Sequence, residues 1–175
     1  TPSNIDLLIA TIGKALDKNN NLLIVSKSRI YCIRRICDEF QDFKKQILFR
    51  FTIGSASNET LGFWETDAPS YEERMESLKH AFNKGFETSI SCEPMLDNRI
   101  SVVIEEVLPY VTNTIWVGKM NKMIGRLKMN GFSDDETLAK ANQLLAWQED
   151  AEIVKLYNRY KESANQMEGK HKKGC

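Results

Sequence analysis

The stretch that decides the fold is Phe86-Glu87-Thr88-Ser89-Ile90-Ser91-Cys92-Glu93-Pro94-Met95-Leu96. Side chains along a strand alternate between two faces, so Thr88, Ile90 and Cys92 share one face. The other face is polar and carries Glu87, Ser89, Ser91 and Glu93. Strands that are joined through helices are normally covered on both faces and apolar throughout. The polar face therefore indicates either the lining of a cavity or an edge strand that meets water.

Three further segments have strand composition: Leu22–Ser26, Ile47–Gly54 and Thr112–Met120. The first is a short apolar run with β-branched residues, which predicts a buried strand. Segments with helical periodicity lie before and between the strands. Strands and helices that alternate at a spacing of roughly 30 residues predict right-handed βαβ units, and hence an α/β protein with a parallel sheet.

The four strands predict an incomplete barrel. A closed barrel takes about eight strands, so the sheet is either an open doubly wound layer or an arc of a barrel, and a polar lining on successive strands favours the arc. We therefore expect parallel βα repeats forming a partial (βα) barrel over residues 1–130. A helical extension is expected over 131–166, beginning at the capping pair Ser133 and Glu136. The charged residues 167–175 are expected to be a disordered tail.

The composition indicates an ordinary globular protein. The 175 residues include 24 Lys and Arg and 24 Asp and Glu, so the formal net charge is zero. This balance does not favour electrostatic capture of nucleic acid or of an anionic membrane, although one local nucleic-acid-binding patch stays compatible with it. No apolar run approaches the roughly 20 residues of a membrane span. Because no signal peptide is recognisable, we expect a cytoplasmic protein.

The cysteines and histidines do not predict a metal or hydrolase site. Cys32, Cys37, Cys92 and Cys175 form no paired CxxC arms, so reduced, buried thiols are expected and no metal ligands are assigned. The two histidines lie in no arrangement with a nucleophile, which argues against a serine or cysteine hydrolase. No GxGxxG or P-loop motif is present.

Polar residues collect at the carboxyl ends of the predicted strands, where βα barrels carry their chemistry. Glu93 beside Lys27 and Lys119 would suit the binding of a zwitterion or the transfer of a proton. A structural cluster of salt bridges is the alternative. Gly54 and Gly118 mark places where the backbone approaches a ligand closely or turns sharply.

Several of these strand ends resemble a known family. The segments are Leu23-Ile24-Val25-Ser26-Lys27, Phe49-Arg50-Phe51-Thr52-Ile53-Gly54-Ser55, Ala68-Pro69-Ser70-Tyr71-Glu72-Glu73-Arg74, Ala81-Phe82-Asn83-Lys84-Gly85-Phe86 and Ser91-Cys92-Glu93-Pro94-Met95-Leu96. Together they resemble the later half of a radical S-adenosylmethionine core domain, in its spore-photoproduct-lyase-like branch. The similarity spans about residues 5–121. The four strands would then be the third to sixth of a partial barrel.

The resemblance implies a cofactor and roles for individual residues. Thr52 and Ser55 match positions that contact the ribose or amino acid moiety of S-adenosylmethionine. Ser91 and Glu93 match the positions at which the family contacts the adenosine. Lys27 and Lys119 would line the substrate side and take part in catalysis.

The chain departs from the family at its defining motif, because no CxxxCxxC loop is present. Either it is a fragment of a longer enzyme that carries the 4Fe-4S cluster, or it is a degenerate relative. In the first case a 5'-deoxyadenosyl radical would abstract hydrogen from a small-molecule or unknown substrate, and this chain alone would be inactive. The alternatives are a non-catalytic assembly domain that pairs through exposed sheet edges, giving a homo-oligomer, and a cluster-free barrel-like enzyme that binds a phosphorylated small molecule.

Overall fold

The computed structural model describes the backbone of residues 2–171 and the side chains of residues 4–161. The chain divides into two compact units, Thr1–Lys119 and Met120–Cys175. The sequence-based boundary lay after residue 130. The last four residues of the predicted disordered tail, 172–175, lie outside the described residues.

The first unit alternates helices and strands. Its elements are α1 (Pro2–Leu16), β1 (Leu22–Ser26), α2 (Ile30–Glu39), β2 (Ile47–Thr52), α3 (Asn58–Trp64), α4 (Tyr71–Asn83), β3 (Glu87–Cys92), α5 (Ile100–Val107) and β4 (Ile115–Val117), with 3-10 turns at Gln41–Phe43 and Leu108–Tyr110. The long connection after β2 thus contains a helix of its own, α3. Helix α4 begins as predicted, because the Ser70 hydroxyl accepts a hydrogen bond from the Glu73 amide at 3.3 Å.

The four strands form one parallel sheet in the order β1-β2-β3-β4. The register places Arg50 beside both Val25 and Ser89, and it places Ser91 beside both Thr52 and Trp116. The predicted α/β class and parallel sheet are confirmed. The sheet of these described strands is open, since β1 and β4 each have a single neighbouring strand.

One face of the sheet forms the core. Ile47, Phe49 and Phe51 of β2 are each 1% exposed. The ring of Phe49 stacks on Phe51 at 5.9 Å between centroids and meets Phe86 edge-on at 5.4 Å. Helix α4 contacts β2 and β3 and packs against α2. Burial of these aromatic side chains contributes to the stability of the unit.

The opposite face of the sheet, called the open face below, is only partly covered. By strand alternation and register it carries Leu23, Val25, Leu48, Arg50, Thr52, Glu87, Ser89, Ser91 and Trp116. Leu23, Val25 and Trp116 remain 49%, 55% and 47% exposed. The prediction that β1 is a buried strand is therefore wrong for this face. An edge strand with one uncovered face can still be apolar, and its composition does not reveal that position.

The second unit is helical and contains α6 (Met123–Met129), α7 (Asp135–Trp147) and α8 (Asp150–His171). The predicted capping pair at its start is wrong by one residue, because Asp134 is the cap of α7 and its carboxylate accepts from the Thr137 amide at 2.8 Å. The side chain of Gln148 accepts a hydrogen bond from the Met120 amide at 2.7 Å and so closes the unit on itself. Of the helices between residues 2 and 171, none combines the length and hydropathy that a bilayer-spanning segment requires.

Candidate functional site at the carboxyl ends of the strands

The segment Glu93–Leu96 continues β3 and lies between the ends of its two neighbouring strands. The Met95 amide donates to the Gly118 carbonyl at 3.0 Å, and the Leu96 amide donates to the Gly54 carbonyl at 2.8 Å. The Glu93-Pro94 peptide bond is cis. The two hydrogen bonds from Met95 and Leu96 hold this segment, and with it Glu93, at the centre of this end of the sheet.

Gly54 and Gly118 both lie where the chain approaches itself closely. A Cβ atom at Gly54 would lie 2.7 Å from the Pro94 carbonyl oxygen and 2.9 Å from Leu96 Cγ. A Cβ atom at Gly118 would lie 2.8 Å from both Cγ and Oε1 of Glu93. The sequence predicted a close approach of the backbone at both positions, and the structure shows that the approaching group is the chain itself.

The structure pairs Lys27 with a residue that the sequence analysis did not single out. The Lys27 ammonium lies 3.2 Å from Glu65 Oε1, and its side chain remains 47% exposed. Lys119 follows β4, is exposed, and is adjacent in sequence to Gly118, which contacts Glu93. Glu93 and Lys119 are thus brought to one end of the sheet, whereas the carboxylate beside Lys27 is that of Glu65.

Glu65 also contacts a buried arginine, Arg74, which sequence reasoning missed. Arg74 is 0% exposed and its Nη1 lies 2.7 Å from Glu65 Oε2. The two groups form an ion pair without the geometry of a hydrogen bond. Arg74 also donates through Nε to the Pro69 carbonyl at 2.8 Å and through Nη1 to the Thr52 carbonyl at 3.1 Å. One side chain thereby holds the connection after β2 against the end of that strand.

The position of Arg74 in the sequence offered one signal of this role. It lies three residues after Tyr71 and four before Leu78, both of which are buried on α4. A charged residue at this spacing falls on the apolar stripe of a helix, where an unpaired charge would be costly. The pattern therefore indicated a buried partner without identifying Glu65.

Ser55 is fully buried, and its hydroxyl is already used by the protein. Its Oγ donates to a carboxylate oxygen of Asp97 and accepts from the Ser57 amide at 2.8 Å. The other carboxylate oxygen of Asp97 accepts from the Arg99 amide at 2.8 Å. Ser55 therefore ties the end of β2 to the turn that precedes α5.

Thr52 and Ser91 are neighbours across β2 and β3. They form a register pair on the open face, where Thr52 is half-buried and Ser91 is 8% exposed. Their side chains precede the end of the sheet at which Glu93 lies. The structure thus brings Thr52, Ser91 and Glu93 together along one side of the sheet.

The described thiols and imidazole do not form a metal site. Among the side chains of residues 4–161 there is no group of three or more His, Cys, Asp or Glu residues that could hold a metal ion. Burial raises the pKa of the Cys37 thiol to about 12 and that of the Cys92 thiol to about 12. Burial also lowers the pKa of His80, which lies on α4. These residues do not fit the ligands of an iron-sulfur cluster.

The buried cysteines should be unreactive in the folded protein. Iodoacetamide attacks the thiolate, and Cys37 and Cys92 are 0% exposed with raised pKa values. At mildly alkaline pH we expect peptide mass spectrometry to find neither residue modified in the native protein and both modified after guanidinium unfolding. The half-buried Cys32 serves as an internal comparison. Rapid modification of Cys92 without unfolding would contradict the structure.

No protein-family model, curated protein or solved structure matches this chain.

Proposed function

We propose that this chain is the later half of a radical S-adenosylmethionine core domain, and that its four strands are an arc of a partial (βα) barrel. The observation that carries the proposal is the open face of the parallel sheet, which is lined by polar side chains next to the strand ends. A barrel interior has this character, because its side chains face a ligand or cavity while the other face of the sheet packs on helices. Three of the five segments quoted for the family reach these strand ends: 23–27, 49–55 and 91–96.

The strand order supports the arc over a doubly wound layer. In a doubly wound sheet the order reverses at a switch point, with helices on both faces. Here the order β1-β2-β3-β4 has no reversal. Right-handed connections between strands that follow one another in order place all connecting helices on one side. The other side is then left for the interior of a barrel.

The residues at the strand ends fit S-adenosylmethionine in part. Thr52 and Ser91 offer adjacent hydroxyl groups that can bond a ribose, and Glu93 offers a carboxylate that can accept from ribose hydroxyls or an amino group. The hydroxyl of Ser55 is occupied by Asp97 and Ser57. In this proposal Ser55 is therefore a positioning residue that holds the end of β2.

The cluster ligands belong, in this proposal, to a segment that the present sequence does not include. S-adenosylmethionine bound to a reduced cluster would supply the hydrogen-abstracting radical. The residues of this chain would bind and orient the cofactor, and Lys27 and Lys119 would contact the substrate. Pairing with Glu65 at 3.2 Å limits the directions in which the Lys27 ammonium can point.

The test is anaerobic reconstitution of the protein in its longest reading frame. We expect a CxxxCxxC motif upstream, cluster absorbance after addition of iron and sulfide, and release of 5'-deoxyadenosine. Glu93→Gln should weaken S-adenosylmethionine binding about 10-fold, because a hydrogen bond to a charged group is lost. Glu76→Gln, on the exposed face of α4, is the matched control and should bind normally. An upstream sequence without cysteine ligands, together with no S-adenosylmethionine binding, would rule the proposal out.

A further inference from the structure

The centre of the open face holds an arginine and a tryptophan in contact. Arg50 on β2 donates through Nε to Ser89 Oγ on β3 at 3.1 Å. Its guanidinium carbon lies 5.3 Å from the centroid of the Trp116 ring on β4. Ser89 is 0% exposed beneath them. Side chains on two other strands, β3 and β4, thus fix the direction of the Arg50 guanidinium group.

The charge of Arg50 is not neutralised within the described residues. Four other arginines of the same unit pair with carboxylates: Arg29, Arg34, Arg35 and Arg74. Arg50 contacts a hydroxyl and an aromatic ring instead, and among residues 4–161 it forms no ion pair. A guanidinium that is held in one direction and has no counter-ion can form charge-assisted hydrogen bonds with an anionic ligand.

Trp116 offers an aromatic surface beside this charge. It is 47% exposed although it lies in the sheet. An exposed tryptophan offers a large surface on which a planar ring can pack, since aromatic groups associate in offset-stacked or edge-on geometries. Apolar Leu23 and Val25 lie on β1 at the other side of the face, and strand spacing places β1 roughly 14 Å from β4. This is enough room for a ring that carries a charged substituent.

We propose that the open face binds a small planar aromatic molecule that carries a phosphate or carboxylate group. Arg50 binds the anionic group, Trp116 packs against the ring, and Ser89 holds Arg50 in position. The inference rests on the side chains of β2, β3 and β4 and does not require S-adenosylmethionine chemistry. Planar guanidinium suits both anions, because it presents parallel N–H donors to two oxygens.

The experiment is isothermal titration calorimetry of the full chain with matched ligand pairs. The pairs are adenosine 5'-monophosphate with adenosine, and indole-3-acetate with indole-3-acetamide. We expect the charged member of at least one pair to bind at least about 10-fold more tightly than its neutral partner, as a charge-assisted hydrogen bond implies. The pair that responds shows which of the two combinations of ring and anion the open face binds.

Substitutions assign the two contacts. Arg50→Gln should remove the difference between charged and neutral members. Trp116→Leu should weaken both members, and the charged member more, because it also removes the ring that Arg50 contacts. Arg34→Gln, at an exposed arginine on α2, is the matched control and should leave binding unchanged. Ser89→Ala removes only the hydroxyl that orients Arg50 and should weaken binding of the charged ligand several-fold. It provides the test of the anion contact if Arg50→Gln does not fold.

Three results would overturn the inference. These are no binding of either aromatic anion, equal binding of charged and neutral members, and unchanged binding by a folded Arg50→Gln variant. Binding of an aromatic anion by this chain would support this site even if the longest reading frame has no upstream cysteine ligands and binds no S-adenosylmethionine, a result that removes the proposed function alone. The reverse result would remove this site alone.

Discussion

Replacing Arg74 with methionine is expected to lower the free energy of unfolding by about 3–5 kcal/mol, the range found when one partner of a buried ion pair is removed. Arg74 is 0% exposed and the side chain of its partner Glu65 is 7% exposed. Methionine fills much of the volume, but it removes one of the two cations beside the Glu65 carboxylate and the hydrogen-bond donor of the Pro69 and Thr52 carbonyls. Urea denaturation followed by circular dichroism measures the loss.

A surface arginine provides the matched control for this substitution. Arg34 lies 2.7 Å from Glu76, and both side chains are more than half exposed. Arg34→Met should therefore change the free energy of unfolding by less than about 1 kcal/mol. The double variant Arg74→Met with Glu65→Leu should recover part of the loss, because it removes a carboxylate whose remaining partner is the half-exposed Lys27. A loss below about 1 kcal/mol for Arg74→Met alone would show that the pair is not buried in solution.

The fold class could be predicted because local patterns specify it. Periodic apolar residues and the Ser70 cap defined α4 and its neighbours, and alternation of helices and strands defined the parallel sheet. Exposure of β1 could not be predicted in this way. Valine favours β-strands whether the strand is at the edge or in the centre of a sheet. Only the order of the strands determines that Val25 lies in an edge strand.

The sequence predicted where on the backbone the candidate site lies. It did not predict which side chains contact one another there. Polar residues at strand ends indicated which end of the sheet to consider, and Gly54 and Gly118 indicated close approach there. The partner of Lys27 was not predictable, since Glu65 lies at the C-terminal end of α3, within the long connection that follows β2. The hydrogen bond of Ser55 to Asp97 spans 42 residues, and no local pattern encodes a contact at that separation.

Gly54→Ala is expected to destabilise the protein by about 1–3 kcal/mol, the usual cost of forcing an extra carbon into a packed site. The new Cβ would lie 2.7 Å from the Pro94 carbonyl oxygen, which is backbone. That oxygen cannot move freely, because the following amides of Met95 and Leu96 bond to the carbonyls of Gly118 and Gly54. Thermal and urea unfolding of the variant measure the cost.

Gly118→Ala is the matched comparison, because its Cβ would meet a side chain instead of backbone. The atoms within 3.0 Å of that Cβ are Cγ and Oε1 of Glu93, an exposed residue that can rotate away. The free energy of unfolding should fall by less than about 1 kcal/mol. Alanine also lowers the conformational entropy of the unfolded chain, which offsets part of this destabilisation. The carboxylate of Glu93 would nevertheless move, so the variant should weaken S-adenosylmethionine binding in the proposed enzyme while Gly54→Ala acts on stability. Equal destabilisation by the two alanines would mean that Glu93 is held as rigidly as the backbone of Pro94, and the carboxylate would then be part of the packed structure instead of an available ligand.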